Sequence, residues 1–420
     1  MTRRQIATLA LAAVTTLAAA AAEPTDRRFT QLPFGCTVTR SEPITGDQKD
    51  RLAQKLGTPL WKLSNTYLVV QGETVQINIL ETKAEEDARK LYSTIAGMRR
   101  NPAFCRLEGT RVIEFCKATP ATALKAAYEL GFAAKPNRVR YHISARVATV
   151  QTADYMALNE LSNALAAAGP GDPGEAASGR IAELSKGFSF GASLALRVPR
   201  GVDAADAYRF TPAPVGTETQ ANDTAIYTFG QPPRTLGIPA VALEFSTASD
   251  NTGLTPTDRA AEPGLLAATP YWPVDDPALI ALAKEITAGK PTAAAKVQAL
   301  LEWLAPGRNI RASGPAGSRW GVKTVLARKQ GHCWDSADCF VTLARAAGIP
   351  TRQVGGWLFG TSGHVWAEVL VEGKGWQQVD PTGAGRLACG IYHIPYVTTE
   401  TGEMPILYVT LPRIEIIETR

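Results

Sequence analysis

Apolar and polar positions alternate in two rhythms between residues 60 and 168. "NTYLVV" and "ETVQINIL" read as a strand pair around Gln71-Gly72. "KAEEDARKLYSTIAGM" brings Ala84, Ala88, Leu91 and Ile95 to one face of a helix. "TRVIEFC" is a strand, and "PATALKAAYELGF" is a helix opened by Thr119-Pro120. "NRVRYHISARVATV" is a long strand, and "ADYMALNELSNALAAAG" is a helix ended by glycine. These elements predict an N-terminal α+β domain over 30–168, ferredoxin-like in arrangement, with no identifiable chemistry.

The rhythm then breaks. "GPGDPGEAASG" has the composition of a linker, assigned to 169–182. "FSFGASLALRVP", "AIYTFGQ" and "GIPAVALEFSTA" are strand-like between Pro, Gly and Thr turns, so 183–265 is expected to be a small β-rich domain. From about 270 the pattern is helical again. "DPALIALAKEIT" and "TAAAKVQALLEWLA" are amphipathic, a third helix runs through "CWDSADCFVTLARAAG", and strands follow to the C-terminus. Residues 270–420 are expected to form one α+β domain with a helix packed on antiparallel strands.

Composition is that of a globular protein, with 45% apolar and 20% charged residues. The exception is the start. Arg3 and Arg4 precede the Ala- and Leu-rich stretch Ile6 to Ala22, which ends in three alanines before Glu23. That is the layout of a cleaved signal peptide over 1–22, and it predicts a periplasmic or secreted protein. Removing it takes away two arginines and no acid, so the net charge falls from +5 to +3. So small and unclustered an excess gives no footing for nucleic acid, and no apolar run long enough for a membrane span follows the leader.

Export means an oxidising compartment. The six cysteines are Cys36, Cys105, Cys116, Cys333, Cys339 and Cys389. One bridge is expected among Cys36, Cys105 and Cys116, and a second between Cys339 and Cys389, although spacing alone does not fix pairing.

Cys333 stands apart. Gly331 precedes it, the helical pattern runs through Ala337, Phe340, Val341, Ala344 and Ala347, and Gly348 and Pro350 end it. Cys333 is thus in a first turn, where the helix dipole and a nearby imidazole favour thiolate. Taken alone it would read as a core cysteine. His364, however, opens the alternating strand "HVWAEVLV", and after the turn "EGKG" the strand "WQQVDPT" ends at Asp380. If the two strands pair about residue 372, His364 and Asp380 lie opposite, to within a residue or two. A carboxylate beside an imidazole would fix its tautomer and stabilise its charged form. His332 and His393 read as structural or exposed. Trp334, Trp366 and Trp376 read as core or cleft wall, and Cys339 as packing or a bridge.

The blocks "GHCWDSADCFVTLARAAGIPTRQVGGWL", "GHVWAEVLV" and "GWQQVDPT" resemble the three core blocks of the transglutaminase-like superfamily, over roughly 273–385. Their order matches, with 31 and 16 residues between the candidate Cys, His and Asp. The resemblance implies a papain-like thiol mechanism. Cys333 would be the nucleophile, His364 the base and Asp380 the orienting acid, acting on amide bonds of a protein or peptide through a thioester. Hydrolysis is favoured over transfer to an amine, and no cofactor or metal is implied. Some relatives use an indole as oxyanion donor, and Trp320 is the upstream candidate. The alternatives are a cross-linking transglutaminase and a binding or scaffold protein that keeps the fold without turnover.

Other motifs fail on context. "GFSFG" matches a serine-nucleophile elbow but has helix before and strand after, the reverse of what an elbow needs. "AGKPT" lacks the upstream glycine of a phosphate loop. No H-E-x-x-H or paired C-x-x-C occurs, so no zinc site is expected.

Overall fold

The computed structural model describes residues 26–30, 32, 36–70, 73–151, 155–168, 174–198, 203–220, 224–230, 240–248, 263–305, 308–314, 317–360, 363–382, 390–404, 406–408, 410 and 412–420. The expected leader, 1–22, lies outside them, as does Cys389. No helix among the described residues is long and apolar enough to cross a membrane. The chain divides into two compact units, one built on residues 37–69 and 74–118 and the other on 119–420.

The first unit is a five-stranded sheet with two helices. Its elements are β1 (Cys36–Pro43), α1 (Gly46–Leu56), β2 (Lys62–Val70), β3 (Glu73–Glu81), α2 (Glu85–Arg99), β4 (Cys105–Glu108) and β5 (Arg111–Cys116). The strand order is β1-β2-β3-β5-β4. A ferredoxin-like unit would split its β-α-β pairs around an intervening strand. Here neighbours nearly follow chain order, so that expectation is corrected. Ala88, Leu91 and Ile95, the stripe read from the sequence, pack against Leu63, Leu80 and Val112 of the sheet. Cys105 is buried in the same cluster, while Cys116 Sγ accepts hydrogen bonds from Asn78 Nδ2 (3.2 Å) and Arg99 (3.0 Å). Both are free thiols, so the bridge expected among Cys36, Cys105 and Cys116 is not formed.

The second unit begins with α3 (Pro120–Glu129), capped by the Thr119 side chain with Pro120 in its first turn. Next come β6 (Arg138–Gln151), α4 (Tyr155–Ala168), α5 (Gly174–Ser185), β7 (Ser189–Phe190), β8 (Ser193–Arg197), α6 (Ala204–Ala207), β9 (Arg209–Thr211), β10 (Gly216–Gln220), β11 (Thr224–Thr228) and β12 (Ala240–Ala248). The long strand β6 organises this half. It pairs with β12 from Arg138 to Arg146 and with the C-terminal strand β20 (Arg413–Thr419) on its other side. It also pairs with β7 and with β19 (Ile406–Tyr408). Residues expected to close an N-terminal domain at 168 are therefore built into the same sheets as residues 240–248 and 406–419. The β-rich stretch is likewise not self-contained: β8, β10 and β11 form their own sheet, but β9 and β12 join β6. The expected linker is also corrected from Gly174 on, where it is helix. Ile181 and Leu184 of α5 pack on Leu158, Leu161 and Leu165 of α4, and that packing outweighs the weak helix propensity of the glycines.

The remaining elements are α7 (Pro277–Ile286), α8 (Ala293–Leu304), β13 (Arg311–Ala312), α9 (Val322–Arg328), β14 (Gln330–Gly331), α10 (Cys333–Ala346), β15 (Thr351–Leu358), β16 (Gly363–Val371), β17 (Gly375–Val379) and β18 (His393–Thr399). Asp276 and Thr292 cap α7 and α8 with their side chains. Strands β15 to β18 form an antiparallel sheet in the order β17-β16-β15-β18. Helix α10 lies between this sheet and the other helices. Phe340, Val341, Leu343 and Ala344 pack with Leu279 and Ala283 of α7, Leu300 and Leu301 of α8, and Ala367 and Val369 of β16. A side chain the size of Phe340 or Leu343, fully buried, contributes roughly 1.5–3 kcal/mol. That anchoring fixes where the first turn of α10 stands.

Candidate active site

Cys333 is the first residue of α10 and is partly exposed. The turn that leads into it is held by an acid of the same helix. Asp335, buried, accepts from the His332 backbone N–H (3.2 Å), from the Trp320 backbone N–H (2.7 Å) and from Ser318 Oγ (2.9 Å). Gly331 makes room for this: a Cβ there would sit 2.7 Å from Cβ of Asp335. One turn on, Asp338 Oδ1 accepts from Trp272 Nε1, Arg319 and Gln353 Nε2, each at 2.8 Å, and Oδ2 accepts from Arg319 Nε at 2.7 Å. Two buried carboxylates on one helix thus hold the 318–320 segment against it. A helix start also leaves first-turn N–H groups without intrahelical partners, a ready donor set for developing negative charge.

His364 and Asp380 come from the hairpin β16–β17. Ala367 pairs with Val379, so the hairpin is centred on 373 and Thr382 falls level with His364. Asp380, just past the end of β17, is the diagonal neighbour on the same face. Its Oδ2 accepts from His364 Nε2 at 2.8 Å, and its Oδ1 accepts from the Thr382 backbone N–H (2.8 Å) and hydroxyl (2.6 Å). The Cys333 side chain lies beside the His364 ring and helps to raise its affinity for a proton. With Nε2 turned to Asp380, Nδ1 is the nitrogen left for the sulfur. The structure therefore brings Cys333, His364 and Asp380 together, with the imidazole hydrogen-bonded to the carboxylate and the thiol on its other side.

The electrostatics follow from this contact set. Burial alone would push His364 down, but the Asp380 carboxylate, its hydrogen bond and the neighbouring Cys333 raise it to about 10. Asp380 is buried, which would raise it, yet the two histidines donating to it hold it well below the usual carboxylate range. Trp366 stacks on His364 at 5.9 Å and donates its Nε1–H to Gln378 Oε1 at 2.7 Å.

The sequence reading missed one member. His393, expected to be structural or exposed, is buried on β18, and its Nε2 lies 2.9 Å from the same Asp380 oxygen that His364 uses. His364, Asp380 and His393 thus offer three metal-capable atoms within 4.8 Å of one another. The two contacts at 2.8 and 2.9 Å have hydrogen-bond lengths and account for both Nε2 atoms and the shared oxygen. The remaining expectations fall elsewhere. Trp320 packs against the α8–α10 core with Arg328 over its ring. Cys339 is a buried free thiol in the same core, and Cys389, its expected partner, lies outside the described residues. His332 caps α10, and His142 on β6 is paired in register with Glu244 and Glu415.

Residues 280–381 match the Transglutaminase-like superfamily. No curated protein matches the chain closely enough to count as a relative. Among solved structures, a provisionally assigned cysteine protease from Cytophaga hutchinsonii is 15% identical, with 68% of this chain and 92% of that one covered and a TM-score of 0.38. The periplasmic domain of TgpA from Pseudomonas aeruginosa is 20% identical over 46% of this chain and 70% of that one, at 0.28. Red sea bream transglutaminase is 12% identical over 61% and 47%, at 0.23. The family match, the helix on its antiparallel sheet and the order of the three blocks agree: residues 280–381 are a transglutaminase-like domain.

Proposed function

We propose that the protein is an exported cysteine enzyme that acts on amide bonds of proteins or peptides through a thioester, with water as the preferred acceptor. The observation that carries this reading is the hydrogen-bonded His364–Asp380 pair set beside Cys333 at the start of a helix. Cys333 as thiolate attacks the amide carbonyl and forms the C–S bond. The oxyanion develops beside the first-turn N–H groups of α10. His364, charged, gives its proton to the departing amine as the C–N bond breaks. Asp380 holds the ring in the Nε2–H tautomer throughout. Water, deprotonated by His364, then attacks the thioester and releases the acid and the thiolate. Export rests on the leader-like stretch 1–22.

The test is product identification. Full-length mature protein and its Cys333→Ala variant are given a mixed peptide pool, with and without a primary amine. The expected outcome is free acid and amine from the wild type, with the rate lowered at least about 10⁴-fold in the variant. Turnover that survives in Cys333→Ala rejects the nucleophile. Amine incorporation as the main product replaces hydrolysis with cross-linking, and no turnover in either protein favours a scaffold.

A further inference from the structure

Two histidines donate to one oxygen of Asp380, and their surroundings differ. His364 reaches it from β16 and has the Cys333 thiol on its other side. His393 reaches it from β18, with the edge of Trp366 against its ring at 5.1 Å. The other nitrogen of His393, Nδ1, is buried and meets no hydrogen-bond partner among the described residues.

That fixes the protonation of His393. Its Nε2 must carry hydrogen to donate to the carboxylate. A second proton on Nδ1 would be a buried N–H with nothing to accept it, and the ring would be a buried cation. The charged and titratable groups facing the ring are Asp380, His364 and, from α3, Lys125. Only Asp380 favours a charged ring, and its single negative charge already faces His364. Burial pushes His393 down, and the positive His364 and Lys125 add to that against the pull of Asp380. His364 goes the other way. The shared carboxylate therefore has one charged partner and one neutral partner.

We infer that His393 is a positioning residue: a neutral Nε2–H donor that fixes Asp380 Oδ2 on His364 and shares the carboxylate's charge, so setting how tightly His364 keeps its proton. The inference rests on the Cys333–His364–Asp380 reading for its relevance to catalysis, but not for its geometry. Removing the donor leaves Asp380 with His364 and Thr382 alone. Its charge is then less dispersed, and the His364 proton is held more strongly.

The experiment is ring ¹⁵N–¹H NMR on the full mature chain, which has only four histidines. In the wild type, His393 is expected to stay neutral with its proton on Nε2 from pH 5 to 9, while His364 stays doubly protonated. In His393→Leu the His364 midpoint is expected to rise by about one pH unit, and in His393→Gln, which still donates, to stay within about 0.3. A wild-type His393 that is charged at pH 6, or protonated on Nδ1, overturns the inference. So does an unmoved His364 midpoint in the leucine variant, or a full-unit shift in the glutamine variant. If His393→Leu does not fold, the wild-type tautomer and the glutamine variant decide. None of these readouts needs turnover, so a failed enzyme reading shows in the Cys333→Ala product test and not here.

Discussion

Helix α10 carries two cysteines with opposite environments. Cys333 sits in the first turn, partly exposed, beside an imidazole that is itself held by a carboxylate. Cys339 lies less than two turns on, fully buried among Phe340, Leu300 and Val369. Burial pushes its thiol well above the ordinary value, and the nearby Asp338 and Asp335 push the same way. The helix and the side-chain type are the same in both cases. The difference lies in whether the helix N-terminus is near, whether solvent enters, and which sign of charge faces the sulfur. A cysteine in a helical pattern is therefore not a site until its turn and its partners are known.

The largest way to break this contrast is to remove the charge behind His364. In Asp380→Asn the Thr382 N–H and hydroxyl keep one oxygen, which turns the amide NH₂ toward two histidine Nε2–H groups. Donor then faces donor, and His364 is driven to the other tautomer. Turnover is expected to fall roughly 10³–10⁴-fold with the fold kept. Steady-state kinetics beside a thermal melt measure both, and a loss below tenfold would reject the orienting role.

Next in size is pH. His364 is raised from 6.5 to about 10, so the folded state holds its proton more tightly than the unfolded chain. That stabilisation is fully present below about 6.5 and is lost as pH rises through about 10. Denaturant midpoints should decline over that interval in the wild type and decline much less in Asp380→Asn. Native Cys339 should stay unlabelled by a thiol reagent throughout, since it is fully buried. Equal slopes in the two proteins would separate His364 from the effect.

A smaller effect is expected from the sheet that carries the site. A Cβ on Gly356 would lie 2.1 Å from Trp366 Cη2 and 2.4 Å from the Ile394 carbonyl oxygen. Trp366 stacks on His364 and meets His393 edge-on. Gly356→Ala should cost roughly 1–3 kcal/mol of stability. It should also lower activity at temperatures where the protein is still folded, because both rings move. Unchanged kcat in the folded variant would show that Trp366 does not seat the histidines.

What the sequence disclosed divides along the same physical line as these effects. Local signals were readable. Asp276-Pro277 and Thr292 cap α7 and α8, and Gly348 at φ 80° ends α10, as side-chain chemistry requires. The β16–β17 hairpin was centred one residue early, yet His364 and Asp380 still fell on one face because strands alternate with period two. Long-range pairing was not readable. The strand over 138–151 shows in the sequence, but its partners at 240–248 and 413–419 leave no local trace, so a domain boundary at 168 cuts across sheets that the fold keeps whole. His393 was missed for the same reason. It reaches Asp380 because β18 pairs with β15, a strand that β16 and β17 separate from it in the chain. The glycines of α5 disguise a helix that its packing against α4 and β6 stabilises.

The smallest expected effect tests the other half of the comparison. If Cys339 acts only by filling space, Cys339→Ala removes one buried sulfur and nothing else. The surrounding Phe340, Leu300 and Val369 lose contact with one atom, and the loss is expected to be about 1 kcal/mol, read as a lower denaturant midpoint at unchanged slope. Turnover and the pH profile should stay within about twofold of wild type, since surface access and the His364 pair are untouched. Cys339→Ser should cost more, about 1–3 kcal/mol, because it buries a hydroxyl in an apolar cluster. The ranking matters more than either value. A serine variant as stable as the alanine one would mean that the cavity offers a polar partner. A turnover loss in Cys339→Ala of the size seen for Asp380→Asn would mean that the second cysteine belongs to the chemistry after all.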